Sequence, residues 1–372
     1  MKFECDKKML QDAVAATSRA VPAQTTIEVL SGLLIEADDA TQSIYITGYN
    51  NEMSIRAVVE AEVEEAGSLV VPARVFSDIV RKFEKDYSVE FSSDGNQVVV
   101  ICGRARFNLV AMKASDFPEI PSVDDGEYIE LDSSDLRRLV SCVSYAASAD
   151  EARPIYTGIL LKAENDEVTA VAVDGFRVAT KTEKLLNTVK SPFSMVIPAR
   201  AIVESARTLK EKGERVTILK GDKHVSLEMD GITLTARLFE GEFMDWRPLT
   251  DAQKTVTMKV VRKDFLASLE RVEILVNEKL KAPVRLSIQD GSIGLSVHTA
   301  TGKANDHCMA EGNCEEAFEI GFNGRYLIDA IKAAPSDEVE LGFGRPIDPV
   351  VVKNADKEND SFASVVLPVR LH

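Results

Sequence analysis

The chain repeats itself, and that constrains its fold more than any other feature. SGLLIEADD (31–39) followed by LVVPARVFSDIV (69–80) returns as TGILLKAEN (157–165) followed by MVIPARAIVESA (195–206). Gly32 to Gly158 is 126 positions, and so is Pro72 to Pro198. A weaker third copy reads VRLSIQDGSIGLSV (284–297), then FEIGFNGRYLIDAI (318–331). Asp78, Glu204 and Asp329 hold the same place in the three predicted helices. Each copy divides again into two similar halves, each a strand, one helix and three strands. In the first half, FEC (3–5) leads into a helix with Met9, Leu10, Ala13 and Val14 on one face, then strands at 33–37, 43–48 and 53–59. In the second, SLVV (68–71) leads into a helix from Ala73 to Phe83, then strands near 88–91, 97–101 and 105–111. Ser93-Asp94-Gly95-Asn96 suits a hairpin loop between two of them.

The reading is α+β: three similar domains, six halves and six main helices. The domains are 1–124, 125–252 and 253–372, parting in the polar, Pro-containing stretches IPSVDDGEY and PLTDAQK. Strands that alternate apolar and polar residues predict antiparallel sheets with one covered face.

The 372 residues include no apolar run of membrane-spanning length. The start, MKFECDKKML, lacks the apolar stretch of a signal peptide. Five widely spaced cysteines without a CxxC fit reduced thiols in a cytoplasmic protein.

Net charge is -16, which by itself argues against a nucleic-acid partner. Its distribution argues otherwise. The six helix windows (6–19, 73–85, 132–145, 199–212, 262–275 and 324–334) hold 18 Lys and Arg against 12 Asp and Glu, so the remainder carries -22. Arg74, Arg81, Lys82, Arg200, Arg207 and Lys210 are typical of the helix set. Ordinary solvated helix faces explain a slight basic excess, since Lys and Arg are good helix formers. Six equivalent helices on one side of a curved sheet would instead make a basic lining in an acidic shell, able to hold a polyanion without reading bases.

Catalytic and metal constellations are missing. No HExxH, zinc spacing, GxSxG or GxGxxG occurs. Thr301-Gly302-Lys303 resembles the end of a phosphate loop, but Val297 stands where the earlier glycine belongs and Ala304 follows the lysine. His298, His307 and Cys308 read as surface or loop residues. No cofactor or metal is expected.

The start of the chain, VPAR at 71–74, GRARFNL (103–109), AVDGFRVA (172–179), NEK (277–279) and the ending VVLPVRL (365–371) resemble the bacterial β sliding clamp family over the whole length. The resemblance implies a head-to-tail homodimeric ring with sheets outside and helices lining the hole. It implies a non-catalytic role: encircling double-stranded DNA and tethering the replicative polymerase and repair proteins after a clamp loader opens the ring. Helices spaced ~8–10 Å around a duplex and its water layer number about twelve, two chains' worth.

It also implies a partner-peptide pocket. Position by position this contains Ile155, Tyr156, Val173, Gly175, Phe176, Arg177, Val178, Met244, Pro248, Leu249, Asn323 and Tyr326. It continues with Val365, Leu367, Pro368, Val369, Arg370 and Leu371. Apolar walls would bury the peptide's side chains while Arg177 and Asn323 orient its backbone. On pattern alone Val365, Leu367 and Val369 are an alternating terminal strand. Relatives usually carry Pro at 244, Arg at 248, Leu at 156 and often Thr at 173. The dimer contact would pack Phe107 and Leu109 against Ile274 and Leu275, with Arg104 and Arg106 facing the stretch 300–307, here ATGKANDH and poor in acid. Gln24 stands where a relative has Arg, near a loop facing the hole. Two other readings are a transferase of the inside-out barrel type and a specialised clamp paralogue.

Overall fold

The computed structural model describes residues 1–84, 87–209, 213–276, 282–312, 314–356 and 361–371; Lys210, the NEK segment and His372 lie outside them. The six expected helices are Lys7–Thr17, Ala73–Lys82, Ser133–Val143, Ala199–Thr208, Arg262–Glu273 and Gly324–Ala333, with a short seventh at Arg247–Thr250 among the described residues. Their starts have local causes. The Asp6 carboxylate accepts from Met9 N at 2.8 Å, and the Asn323 side chain accepts from Arg325 N at 3.1 Å, each satisfying a first-turn N–H. Pro72 precedes the second helix, with its fixed φ and no N–H to satisfy. Met9 is exposed, contrary to expectation: the buried stripe centres on Leu10, Ala13, Val14 and Thr17, and Met9 lies at its edge, about 100° from Leu10.

The repeated Gly and Pro prove to be cross-strand partners: Gly32 pairs with Pro72 and Gly158 with Pro198. A Cβ on Gly32 would lie 2.3 Å from Val70 Cγ1 and 2.8 Å from Val71 O; on Gly158, 2.6 Å from Val196 Cγ1 and 2.9 Å from Ile197 O. Both glycines are required by close packing, which is why the sequence repeats them. The predicted hairpin also forms, Asp94 pairing with Gln97 across Gly95-Asn96, with Gly95 at φ 57.

By contacts the described chain falls into two compact units. The first holds Met1–Ser134 and Arg200–Leu238, the second Asp135–Ala199 and Phe239–His372. Each unit joins one whole repeat to half of the second, and backbone ladders do the joining. In the first, the long strand Met53–Glu65 pairs through Ala61–Glu65 with Lys2–Cys5 and through Met53–Ala57 with Ile232–Ala236. One 13-stranded antiparallel sheet results. Phe3 stacks on Phe91 at 4.8 Å beneath it.

In the second unit, Arg177–Lys181 pairs with Phe362–Val366 inside an eight-stranded sheet, and a five-stranded sheet ends on Pro368–Val369. The expected one-face alternation holds for Ser88–Asp94 but not for Phe362–Val366, which is buried throughout. Helices Gly324–Ala333 and Arg247–Thr250 both touch that strand, so neither face is wet.

Leu234 and its partner Ile55 are both fully buried in the ladder that ties Arg200–Leu238 to the first repeat. Leu234→Ala should cost about 2–5 kcal/mol, read as a lowered midpoint in urea denaturation. An unchanged midpoint would show that this ladder does not hold the first unit together.

Candidate functional site

The ladder between Arg177–Lys181 and Phe362–Val366 makes a floor. Val173 pairs with Val178, and Val178 with Val365, so three buried valines lie in one cross-strand row. Leu160, Val171, Val196 and Val351 complete the buried cluster. Half-buried side chains rise around it: Ile155, Tyr156, Phe239, Phe243, Met244, Trp246 and Leu249. Tyr156 and Phe243 meet edge to face at 5.6 Å. The result is an apolar groove whose walls remain open to solvent.

The next wall is the hairpin Asp174-Gly175-Phe176-Arg177. Asp174 Oδ1 accepts from Phe176 N at 2.9 Å and from Arg177 N at 3.0 Å, closing a tight turn. Gly175 has φ 89, a conformation that a side chain resists, and no atom would touch a Cβ there. The backbone, not crowding, demands this glycine. Phe176 is left 60% exposed, its ring 6.2 Å from that of Tyr326.

Arg177 is spent on its own neighbours. Nε donates to Asp174 at 2.9 Å and one terminal nitrogen to Asp329 at 2.6 Å. The guanidinium lies 4.3 Å from the Tyr326 ring centre and 5.3 Å from that of Tyr145. Burial by itself would lower its pKa; the hydrogen bonds with Asp329 and Asp174 outweigh burial and hold it above the ordinary value. Asn323 is likewise committed through its side-chain oxygen to capping Gly324–Ala333.

At Leu367 the chain leaves one sheet for another. Leu367 N donates to Phe176 O at 2.9 Å, and Pro368 and Val369 then pair with Phe322 and Gly321. Val365 is buried, whereas Leu367 (36%) and Val369 (43%) are exposed. The terminal segment is therefore both a strand and an exposed apolar edge. Pro248 and Arg370 are exposed, and Leu371 packs so close to Gly321 that a Cβ there would lie 2.6 Å from its Cδ2.

Sequence reading did not single out Phe239, Phe243, Trp246, Tyr145 or Asp329 for this site. Phe243 had a usable signal, since Phe117 stands 126 positions before it. Tyr145 had none: its hydroxyl donates to Ser364 Oγ at 2.7 Å, a pairing made only by the fold.

The other candidate residues sit as follows. In the first unit, Arg104, Arg106, Phe107 and Leu109 belong to Ala105–Val110 and the turn before it, at the edge of the 13-stranded sheet. That strand shows no buried alternation, and Phe107 is 38% exposed, 5.9 Å from Phe83. In the second unit, Ile274 and Leu275 follow helix Arg262–Glu273, and Ile274 is 78% exposed. Asp306, the one acid in 300–307, pairs with Arg271 at 2.5 Å, and that hydrogen bond holds its carboxyl below the ordinary range.

Gln24, Arg74, Arg81, Lys82, Arg200 and Arg207 are all exposed. Two of the arginines are already paired along their helices: Arg81 with Asp78 at 2.6 Å and Arg207 with Glu204 at 2.8 Å. These acids are the ones that recur at the same place in each repeat. Among the described residues no group of three or more His, Cys, Asp and Glu could hold a metal ion, and no helix is long and apolar enough to cross a membrane.

Models of the DNA polymerase III beta subunit match the chain in three consecutive stretches: the N-terminal domain over 1–121, the central domain over 130–245 and the C-terminal domain over 250–370. The beta sliding clamp of Bacillus subtilis is 28% identical and that of Synechococcus elongatus 27%, each match covering 100% of both chains. Solved clamp structures from Bacillus subtilis and, bound to griselimycin, from Pseudomonas aeruginosa both give a TM-score of 0.93 at 27% identity, again over 100% of both chains. Three domain models in the order of the three repeats, and likeness from end to end in sequence and fold, lead to one conclusion: the chain belongs to the DNA polymerase III beta subunit family and is a DNA sliding clamp of three antiparallel-sheet domains, a non-catalytic accessory factor of that polymerase.

Proposed function

We propose that two copies of this chain close into a ring around duplex DNA, and that the apolar groove of the second unit tethers the replicative polymerase, the clamp loader and repair proteins by a short linear motif. The observation that carries the reading is the valine floor beside exposed Phe176, Leu367 and Val369. An apolar groove with a wet rim suits the side chains of an extended peptide. Since Arg177 and Asn323 are largely committed within the chain, they orient a peptide by holding the groove's walls more than by free donors. The assigned domains are 1–124, 125–252 and 253–372. The location is the cytoplasm, in keeping with five free cysteines.

Removing Pro368–His372 takes away the strand that pairs with Gly321 and Phe322, and the exposed Val369 with it. Loss of one buried apolar side chain costs about 1.5–3 kcal/mol, so peptide affinity should fall at least roughly tenfold while the oligomeric state persists. Equal calorimetric affinity for truncated and intact chains would place the site elsewhere.

The dimer contact pairs exposed Ile274 and half-buried Leu275 of one copy with Phe107 and Leu109 of the other. Its ionic part is weak, because Asp306 is held by Arg271. Replacing both Ile274 and Leu275 by Ala should cost together about 4 kcal/mol or more, roughly a thousandfold in Kd, and give monomers in sedimentation at micromolar concentration. An unchanged dimer, or a monomeric wild type, would refute the contact.

DNA is held by enclosure. Net charge is -16, and Arg81 and Arg207 are partly neutralised by Asp78 and Glu204. Attraction across a water layer fades within ~8 Å at physiological salt. Loaded on a nicked circle, the clamp should resist salt that strips phosphate binders, then slide off once the circle is cut. Gel filtration of labelled clamp before and after cutting checks this. Retention on linear DNA with free ends, or tight unaided binding to short duplexes, would rule enclosure out.

A further inference from the structure

The groove has a counterpart in the first repeat. Val29, Leu30, Val70 and Phe117 form a buried cluster with Leu34, Tyr49, Met112 and Ile120 packed on it. Moved by the repeat period of 126, Val29, Leu30 and Phe117 become Ile155, Tyr156 and Phe243, all of them groove residues. Val70 and Ile120 become Val196 and Trp246 in the same way.

The adjoining hairpin corresponds too. Asn50 Oδ1 accepts from Glu52 N at 3.0 Å and Met53 N at 2.8 Å, as Asp174 does from Phe176 and Arg177. Asn51 has φ 73 where Gly175 has φ 89. Arg237 N donates to Glu52 O at 3.2 Å, as Leu367 N does to Phe176 O. So a chain exit, a tight turn and an apolar cluster recur in the same arrangement.

The floor is what differs. Where the groove has the row Val173, Val178, Val365, the first unit has Tyr49 and Ser54 of the first repeat and Thr235 of the second, paired in the same way. Ser54 and Thr235 put buried hydroxyls where the groove has methyl groups. The Tyr49 ring lies over the cluster, 6.5 Å from Phe117. Val29, Leu30 and Phe117 are buried, whereas Ile155, Tyr156 and Phe243 stay half open.

We propose that the first repeat contains a second groove of the same design, shut by the Tyr49 ring over a hydroxyl-bearing floor. Tyr49, Ser54 and Thr235 are then the residues that limit each chain to one site for a short peptide with apolar side chains. This rests on the peptide reading of the second-repeat groove.

Calorimetry with a labelled pentapeptide carrying leucine and phenylalanine side chains counts the sites. Wild type should bind one equivalent per chain. Tyr49→Val/Ser54→Val/Thr235→Val should bind two. Val173→Tyr, which copies the plug into the groove, should bind none while still melting in one cooperative transition, lowered by the overpacking of a buried position. A triple variant that melts normally and still binds one, a Val173→Tyr chain that binds as before, or a wild type that binds two would overturn the proposal; if the triple variant does not fold, Val173→Tyr decides. A wild type that binds none, or a chain lacking Pro368–His372 that binds undiminished, would remove the peptide reading and this proposal together. Binding of one equivalent that truncation abolishes, with no gain in the triple variant, would remove this proposal alone.

Discussion

A buried backbone N–H or C=O without a partner costs about 1–3 kcal/mol, so a sheet edge inside a protein must be paired. Here the pairs come from another repeat. Met53–Ala57 takes Ile232–Ala236, and Arg177–Lys181 takes Phe362–Val366. One half of the second repeat is thereby sewn to the first repeat and the other half to the third, and both compact units owe their extent to such a ladder. The apolar groove follows from the same ladder, because its floor is the row Val173, Val178, Val365 that runs across the seam.

Around that floor, charge is used to build and not to attract. Arg177 lies between Asp174 and Asp329 and against Tyr145 and Tyr326, so the hairpin, the helix Gly324–Ala333 and the floor are held to one another. Removing one partner of such a half-buried network costs more than a surface pair would, because a desolvated charge is left behind. On the basic helices, Asp78 and Glu204 each answer an arginine three residues on. Exposed pairs of this kind are worth roughly 0–1 kcal/mol. Their effect is to temper the positive field of the helices.

Internal repetition made much of this legible. Gly32 with Gly158 and Pro72 with Pro198 marked the period, and in the fold each Gly faces its Pro across a ladder too tight for a Cβ. Helices and hairpins followed from local chemistry: Asp6 and Asn323 as caps, Gly95 in its turn. Met9 was misplaced because it lies at the edge of the buried stripe, where an apolar side chain near the core face can still stay exposed. Groove positions from Ile155 to Leu371 were reached through family resemblance. Phe239, Trp246 and Tyr145 were not, since no local pattern distinguishes them from ordinary core residues.

What the sequence determined by itself is what depends on neighbours along the chain: the threefold repeat, the six main helices, the hairpin turns and the split between basic helices and acidic sheets. Each is set by periodicity or by a cap or turn within a few residues. What only the tertiary structure decided is which strand lies beside which. Thr235 and Val365 are both ordinary strand residues until Thr235 falls beside Ser54 and Val365 beside Val178. Both pairs are buried, but one becomes polar beneath a buried cluster and the other apolar beneath side chains that stay half open. Pairing between residues about 180 positions apart is chosen by the burial of whole faces, and a single sequence carries no local sign of it.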